Sequence, residues 1–195
     1  MNLCRPAILL LLANPVLADV TVREQVLRTT KHEQLIVSIE HERSAKTGFE
    51  KVTCNFFRVS DGVRTLVRRE TRGVGFSSET VTSVGNFLNN GRKQILVFMV
   101  HGGTFGEVLD FDGRQVKTVY DSSEYGPRVW LRCVEHHGQQ LIEEGWTPSG
   151  YSEPGFSIHR KSDNLIVRLM RWDNTQWVPL KFRFANGQPV PLHAQ

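Results

Sequence analysis

The sequence predicts an all-β protein. Apolar and polar residues alternate at 35–39 and at 165–170, which is typical of strands with one buried face. Residues 95–100 form a continuous apolar run, as expected of a strand that is buried on both faces. No stretch longer than about ten residues keeps a helical period free of Gly, Pro or β-branched residues. Together these observations favour strands along the whole chain.

The first segment, residues 1–18, is predicted to be a signal peptide. Arg5 gives the positive start, an apolar segment follows, and residues 16–18 form a cleavage site. We therefore expect an exported protein, periplasmic or secreted, whose mature part is a single domain, 19–195. No later segment approaches the roughly 18 apolar residues of a transmembrane helix, so we do not expect the chain to span a membrane.

A strand, a tight turn and a second strand recur three times, at 56–67, 106–119 and 167–180. The turn aspartates are 51 and then 61 residues apart, a period typical of propeller blades and similar arrays. The dipeptides Asp61-Gly62 and Asp112-Gly113 predict type I′ turns, in which both residues have positive φ. We predict a β-propeller-like array of antiparallel blades with three to four repeats. A small ring, an open arc, a sandwich and a ring completed by another chain all fit this pattern.

Residues 84–97, V-G-N-F-L-N-N-G-R-K-Q-I-L-V, have the frame of a calcium-binding loop at the entry of a strand. This frame resembles the G-D-x-N-G-D-G-x-x-D-I-x-V signature of FG-GAP/VCBS repeats, the blades of integrin-like β-propellers. The resemblance implies a propeller-like fold. Uncharged residues hold the ligand positions here: Asn86, Leu88, Asn90 and Gln94. Because neutral oxygens do not supply the attraction that offsets Ca²⁺ dehydration, we expect no metal and no other cofactor.

A further hairpin is predicted at 129–146, with its turn at His136-His137-Gly138. The segment that follows it is rich in Pro, Gly and Ser and interrupts the repeat spacing. Inserted loops on a β scaffold commonly carry binding residues. We therefore predict that Trp146, Tyr151 and Glu153 contribute to a partner-binding surface, with the two aromatic side chains as anchors. Packing of these aromatics within the loop is the alternative.

Two cysteines follow the signal peptide, Cys54 and Cys133. An exported chain passes through an oxidising compartment, so a disulfide between them is permitted. Each cysteine also lies in an apolar alternation, which favours two buried thiols.

No catalytic motif is complete in this chain. Residues 73–77 and 101–103 lack the Gly-x-Ser-x-Gly spacing and the helix of a nucleophile elbow. The densest group of ionisable residues surrounds the hairpin at 129–146: Glu135, His136, His137, Glu143 and Glu144. Neighbouring residues of a strand point to opposite faces, while Glu135 and Glu143 are candidates to face each other across the hairpin. We expect these side chains to be solvated and structural, and the protein not to be an enzyme.

The function predicted from these patterns is that of an exported, non-enzymatic β-repeat module. Its loops would bind a protein or carbohydrate of the cell envelope or exterior. An exported hydrolase with its active site on loops, and a structural subunit or inhibitor of an envelope enzyme, are the alternatives. The formal net charge is +4, and the basic residues are spread along the chain, so nucleic acid is not an expected partner. The sequence does not indicate an oligomeric state.

Overall fold

A computed structural model of the chain describes residues 18–76, 79–100, 105–122, 130–147, 157–160 and 164–192. These residues form strands and turns without an α-helix, so the predicted all-β class is confirmed. No helix in this part of the chain is long and apolar enough to cross a membrane.

The strands form four antiparallel sheets, which follow one another along the chain. Sheet 1 contains β1 (Ala18–Thr29), β2 (Glu33–Ser44), β3 (Phe49–Ser60) and β4 (Val63–Phe76), and sheet 2 contains β5 (Glu79–Gly85), β6 (Gln94–Val100), β7 (Phe105–Phe111) and β8 (Val116–Asp121). Sheet 3 contains β9 (Trp130–His136), β10 (Gln139–Trp146), β11 (Ile158–Arg160), β12 (Leu165–Trp172) and β13 (Trp177–Pro179), and sheet 4 contains β14 (Phe182–Ala185) and β15 (Gln188–Pro191).

Sheets 1 and 2 are meanders in which each strand pairs with the next. Sheet 3 departs from this order because two short strands, β11 and β13, both pair with β12. The other neighbour of β12 is β10, which in turn pairs with β9. The three predicted hairpins therefore take corresponding places, as β3-β4, β7-β8 and β12-β13.

The turns of these hairpins are of two kinds. Asp61 and Gly62 have φ values of 51° and 77°, which confirms the predicted type I′ turn. At the second hairpin only Gly113 has positive φ, so the prediction for Asp112 was wrong. The Asp112 carboxylate instead accepts hydrogen bonds from the backbone N–H groups of Arg114 (2.8 Å) and Gln115 (2.9 Å). This side-chain cap stabilises a four-residue turn, a tendency of Asp that competes with the two-residue turn.

The third hairpin has the same four-residue turn as the second. The Asp173 carboxylate accepts hydrogen bonds from the backbone N–H groups of Thr175 (2.9 Å) and Gln176 (2.8 Å), and Asn174 has a φ of 82°. In both turns the backbone N–H of the aspartate also donates to the carbonyl of the Gln three residues later. Asp-Gly-Arg-Gln and Asp-Asn-Thr-Gln are thus equivalent turn sequences in sheets 2 and 3.

The core consists of apolar layers between successive sheets. The layer between sheets 1 and 2 contains Val37, Cys54 and Phe56 from one side and Ile95 and Val97 from the other. The intervening residues of β6 face away from sheet 1 and pack in the layer between sheets 2 and 3. Strand β6 is therefore buried on both faces, as its continuous apolar sequence predicts. A third layer, which includes Leu141, Leu169 and Phe182, joins sheet 4 to sheet 3.

The face of sheet 1 that is turned away from sheet 2 carries polar pairs. Arg69 donates to Asn55 (2.6 Å), and Asn55 donates to Glu40 (2.6 Å). The Arg64 guanidinium carbon lies 3.8 Å from the centre of the Phe57 ring, and Nη2 of Arg64 donates to Glu24 on β1. Repeat arrays that do not close require such a polar face at their end. No closed propeller forms among the described residues, and the number of blades is not established.

The two cysteines are free thiols, so of the two alternatives that the sequence left open the structure has the thiols and not the disulfide. Cys54 lies in the layer between sheets 1 and 2, whereas Cys133 packs against the layer between sheets 2 and 3. Sheet 2 separates these layers, so the two side chains do not meet. Burial raises the pKa of Cys54 to about 12 and that of Cys133 to about 11, which keeps both in the unreactive thiol form at neutral pH.

Candidate partner-binding site at the end of sheet 3

Trp146 is the last residue of β10, at the base of the segment that was predicted to bind a partner. Its side chain is 2% exposed, so it is not the surface anchor that we expected. The alternation of β10 puts it on the same face as Ile142, which packs in the layer between sheets 2 and 3. Tyr151 and Glu153 lie outside the described residues, and their role stays a prediction.

Two adjacent glutamates of β10, Glu143 and Glu144, are both fully buried. The expectation that they are solvated was wrong. They point to opposite faces of sheet 3, as neighbours on a strand must. Their burial is hard to predict from the sequence, because the arginines that pair with them come from other strands. Glu135 lies opposite Gln140 in the register of β9 and β10, so it does not face Glu143 as was considered from the sequence.

Glu143 is held by arginines from two other strands. Arg132 lies directly opposite it on β9 and donates from Nε (3.0 Å) and Nη2 (2.8 Å) to the same carboxylate oxygen. Arg160 on β11 places Nη1 at 3.5 Å from the second oxygen. This side of sheet 3 therefore has two guanidinium groups around one buried carboxylate.

Glu144 pairs with Arg168, which lies directly opposite it on β12. The Nε and Nη2 atoms of Arg168 are each 2.6 Å from one oxygen of Glu144. Burial raises the pKa of the Glu144 carboxyl, and the charge and hydrogen bond of Arg168 oppose this shift. The Arg168 guanidinium also lies 5.7 Å from the centre of the Trp146 ring, within reach of a cation–π interaction.

These pairs connect four strands at the end of sheet 3 from which the 147–156 segment continues. A buried ion pair loses much of its Coulombic gain to desolvation, so apolar residues often give equal or greater stability. The pairs do fix geometry, since each charged group requires its partner in one position. They fix the position of the end of β10, and of Trp146 with it, at the point in the chain where the segment that carries Tyr151 and Glu153 begins.

The two histidines of the β9-β10 hairpin, His136 and His137, lie at its turn. His137 and Gly138 have φ values of 49° and 75°, which is a type I′ turn, and the rings of His136 and His137 are 4.2 Å apart. Within the described ranges there is no group of three or more His, Cys, Asp or Glu residues that could hold a metal ion. Residues 73–76 belong to β4, while residues 101–103 lie outside the described part.

The loop that resembles a calcium-binding loop, between β5 and β6, is organised by Gln94. This fully buried side chain accepts from the backbone N–H of Leu88 (3.1 Å) and donates to Asn90 (3.1 Å) and to Asp110 (3.0 Å). Arg92 donates to the other oxygen of Asp110 at 2.7 Å. Side-chain N–H groups of Gln94 and Arg92 thus already donate to the Asn90 and Asp110 oxygens that face the loop. Asp110 belongs to β7, so the loop sequence alone could not reveal it.

Comparison of the chain with protein-family models, with curated proteins and with solved structures found no match. The structure itself establishes the class of the chain, which is an all-β protein of stacked antiparallel sheets. Membership of the FG-GAP/VCBS repeats stays a prediction from residues 84–97.

Proposed function

We propose that this chain is an exported, non-enzymatic β-repeat module of the propeller-like type, which binds a protein or carbohydrate partner through the end of sheet 3. Tyr151 and Glu153 contact the partner in this proposal. Trp146, which is buried at the end of β10, does not touch the partner in this proposal. The observation that carries the proposal is the pair of buried glutamates, Glu143 and Glu144, fixed by arginines where the loop leaves the sheet.

The positions of these glutamates also favour binding over hydrolysis. Acid–base catalysis by two carboxylates requires both to reach one substrate, with their pKa values set apart by their surroundings. Glu143 and Glu144 lie on opposite faces of sheet 3, each against an arginine. A single substrate cannot lie between them, so they suit a scaffold better than an active site.

The test is capture of envelope proteins and glycans by the mature protein, followed by affinity measurement with the component that is captured. Tyr151→Ala is expected to weaken binding roughly thirtyfold, since truncating a central aromatic anchor commonly costs about 2 kcal/mol. The melting temperature should change little. Phe49→Ala is the matched control, because Phe49 is a 38% exposed aromatic on sheet 1.

Two results would contradict the proposal. One is an equal loss of affinity in Tyr151→Ala and Phe49→Ala, which would show that the binding surface is not specific to the end of sheet 3. The other is turnover of a captured glycan or peptide by the pure mature protein, which would favour the hydrolase.

A further inference from the structure

A pocket of about 360 Å³ lies between the C-terminal end of β1 and the loop that joins β5 to β6. It is at the opposite end of the sheets from Trp146. Strand β10 begins beside Gly85, where a Cβ would lie 2.1 Å from the side chain of Gln140, and runs from there to Trp146. The pocket is thus separate from the proposed partner-binding site.

The lining of the pocket is basic. Arg28, Arg92 and Lys93 contribute to it, and none of its lining residues is acidic. Arg92 pairs with Asp110, which lies outside the lining, while Arg28 and Lys93 have no ion-pair partner among the residues that the structure describes and supply the positive charge. Both of these side chains are exposed. Clustered cations beside a low-dielectric wall attract anions from solution.

The pocket is held in shape by hydrogen bonds on both sides. The backbone N–H of Lys93 donates to the carbonyl of Leu27 at 2.8 Å, which ties the loop to β1. The Arg92 guanidinium is oriented by Asp110, and Gln94 in turn orients Asp110. A cationic group that is fixed before the ligand arrives loses less entropy on binding.

One donor in this arrangement lacks an acceptor. The Nε of Arg92 is buried and has no hydrogen-bond partner among the described residues. Buried polar atoms in native proteins are nearly always paired. The Nε itself has almost no accessible surface, so an anion contacts this guanidinium through its exposed part. The Arg92 side chain is 21% exposed, and its planar fork suits carboxylate, sulfate and phosphate oxygens.

We propose that this pocket binds an anionic group, a carboxylate, sulfate or phosphate, carried by a small molecule or an acidic sugar. Arg92 and Lys93 hold the anion, together with Arg28. Val26 and Leu27 form an apolar wall, which suits the carbon skeleton of the ligand. The β5-β6 loop has the frame of a cation-binding loop in FG-GAP/VCBS-like sequences. In this chain the loop carries positive charges, on Arg92 and Lys93, and binds an anion. This binding does not depend on the function of sheet 3.

The experiment is titration of the mature protein with sodium sulfate, sodium phosphate and sodium glucuronate at constant ionic strength, followed by calorimetry. At least one probe should bind at millimolar concentration or below. Glucuronate binding more tightly than the inorganic anions would indicate an acidic sugar, and the reverse order a sulfate or phosphate group.

Variants distinguish a site from general charge attraction. Arg28→Ala and Lys93→Ala should each weaken binding about tenfold, the effect of losing one charge-assisted hydrogen bond. Arg23→Ala is the matched control, because Arg23 is exposed on the same strand and does not line the pocket. Arg92→Lys keeps a charge beside Asp110 but removes the planar fork of the guanidinium, and should also weaken binding.

The proposal is overturned if no probe binds the wild-type protein at millimolar concentrations. It is also overturned if Arg23→Ala weakens binding as much as Arg28→Ala, since that result would show attraction to the net charge only. If Arg92→Lys lowers the melting temperature, the two alanine variants and their control still decide the question.

Discussion

At the scale of the residue, the most informative contacts are between charged residues whose burial the strand pattern of the sequence does not indicate. Glu144 and Arg168 are both nearly inaccessible, and they form an ion pair across β10 and β12. A buried charge without its partner is far more costly than an apolar residue of similar size in the same place. The pair therefore behaves as one unit, in which either residue alone is harmful.

Arg168→Met should lower the free energy of unfolding by about 3–5 kcal/mol, because it removes the arginine that lies opposite the buried Glu144 carboxylate. The double variant Glu144→Leu with Arg168→Met should be within about 1 kcal/mol of the wild type, since volume-conserving apolar pairs often replace buried ion pairs without loss. Urea unfolding at pH 7 measures both. Additive losses in the double variant would show that the pair is not a unit.

The same carboxyl gives the stability of Arg168→Met a pH dependence. Burial raises the pKa of Glu144 already in the wild type, and loss of Arg168 removes the charge that opposes this shift. The folded state then holds a proton that the unfolded chain releases near pH 4.5, so stability falls as pH rises above about 4.5 towards the folded pKa. Melting temperatures at pH 5 and pH 8 should therefore differ more in Arg168→Met than in the double variant. Equal differences would contradict this assignment.

Calcium should not stabilise the protein. A ligand that binds only the native state raises stability by about 2.7 kcal/mol at one hundred times its Kd. In the β5-β6 loop, Gln94 and Arg92 already donate to Asn90 and Asp110, so a cation would have to displace these N–H groups. The melting temperature should be the same in EDTA and in millimolar calcium. A rise of several degrees with calcium would show that the loop still binds metal.

At the scale of the element, local sequence predicted more than the contacts between strands. The apolar run at β6 and the Asp61-Gly62 turn both follow from rules that act within a few residues. The prediction for the second turn was wrong because the Asp112 side chain caps its own turn. An Asp-Gly dipeptide fits both the two-residue and the four-residue turn, so the local sequence does not decide between them. The burial of Trp146 and Glu143 was missed for a different reason: their surroundings come from strands far along the chain.

Gly106 shows how closely two elements approach. A Cβ on this residue of β7 would lie 2.8 Å from a methyl group of Leu131 on β9, 2.9 Å from the hydroxyl oxygen of Ser122 and 3.1 Å from the ring of Phe98. Gly106→Ala should therefore lower the free energy of unfolding by about 1–3 kcal/mol, the usual cost of overpacking a core.

The rescue variant for Gly106→Ala is Leu131→Val, which makes room at the closest contact. If the clash is the cause, adding Leu131→Val to Gly106→Ala should cost less than the sum of the two single changes in urea unfolding. Additive costs would mean that the contact with Leu131 is not what makes Gly106→Ala destabilising.

At the scale of the whole molecule, the order of the sheets in the stack is their order along the chain. Each apolar layer joins one sheet to the next, and the free face of sheet 1 ends the stack with polar pairs such as Arg69 and Asn55. In such arrays stability is approximately a sum of terms for each unit and each interface. Damage at one interface should therefore stay close to it.

Leu169→Ala tests this consequence. Leu169 is fully buried between sheets 3 and 4, and its truncation should cost about 2–5 kcal/mol of local stability. Native-state hydrogen exchange should then accelerate in β10, β12 and β14, while the amides of β2 and β3 keep their wild-type protection. Phe56→Ala, in the layer between sheets 1 and 2, should give the reverse pattern. Equal loss of protection in all four sheets in both variants would instead indicate one cooperative unit, as expected of a ring whose first and last sheets are in contact.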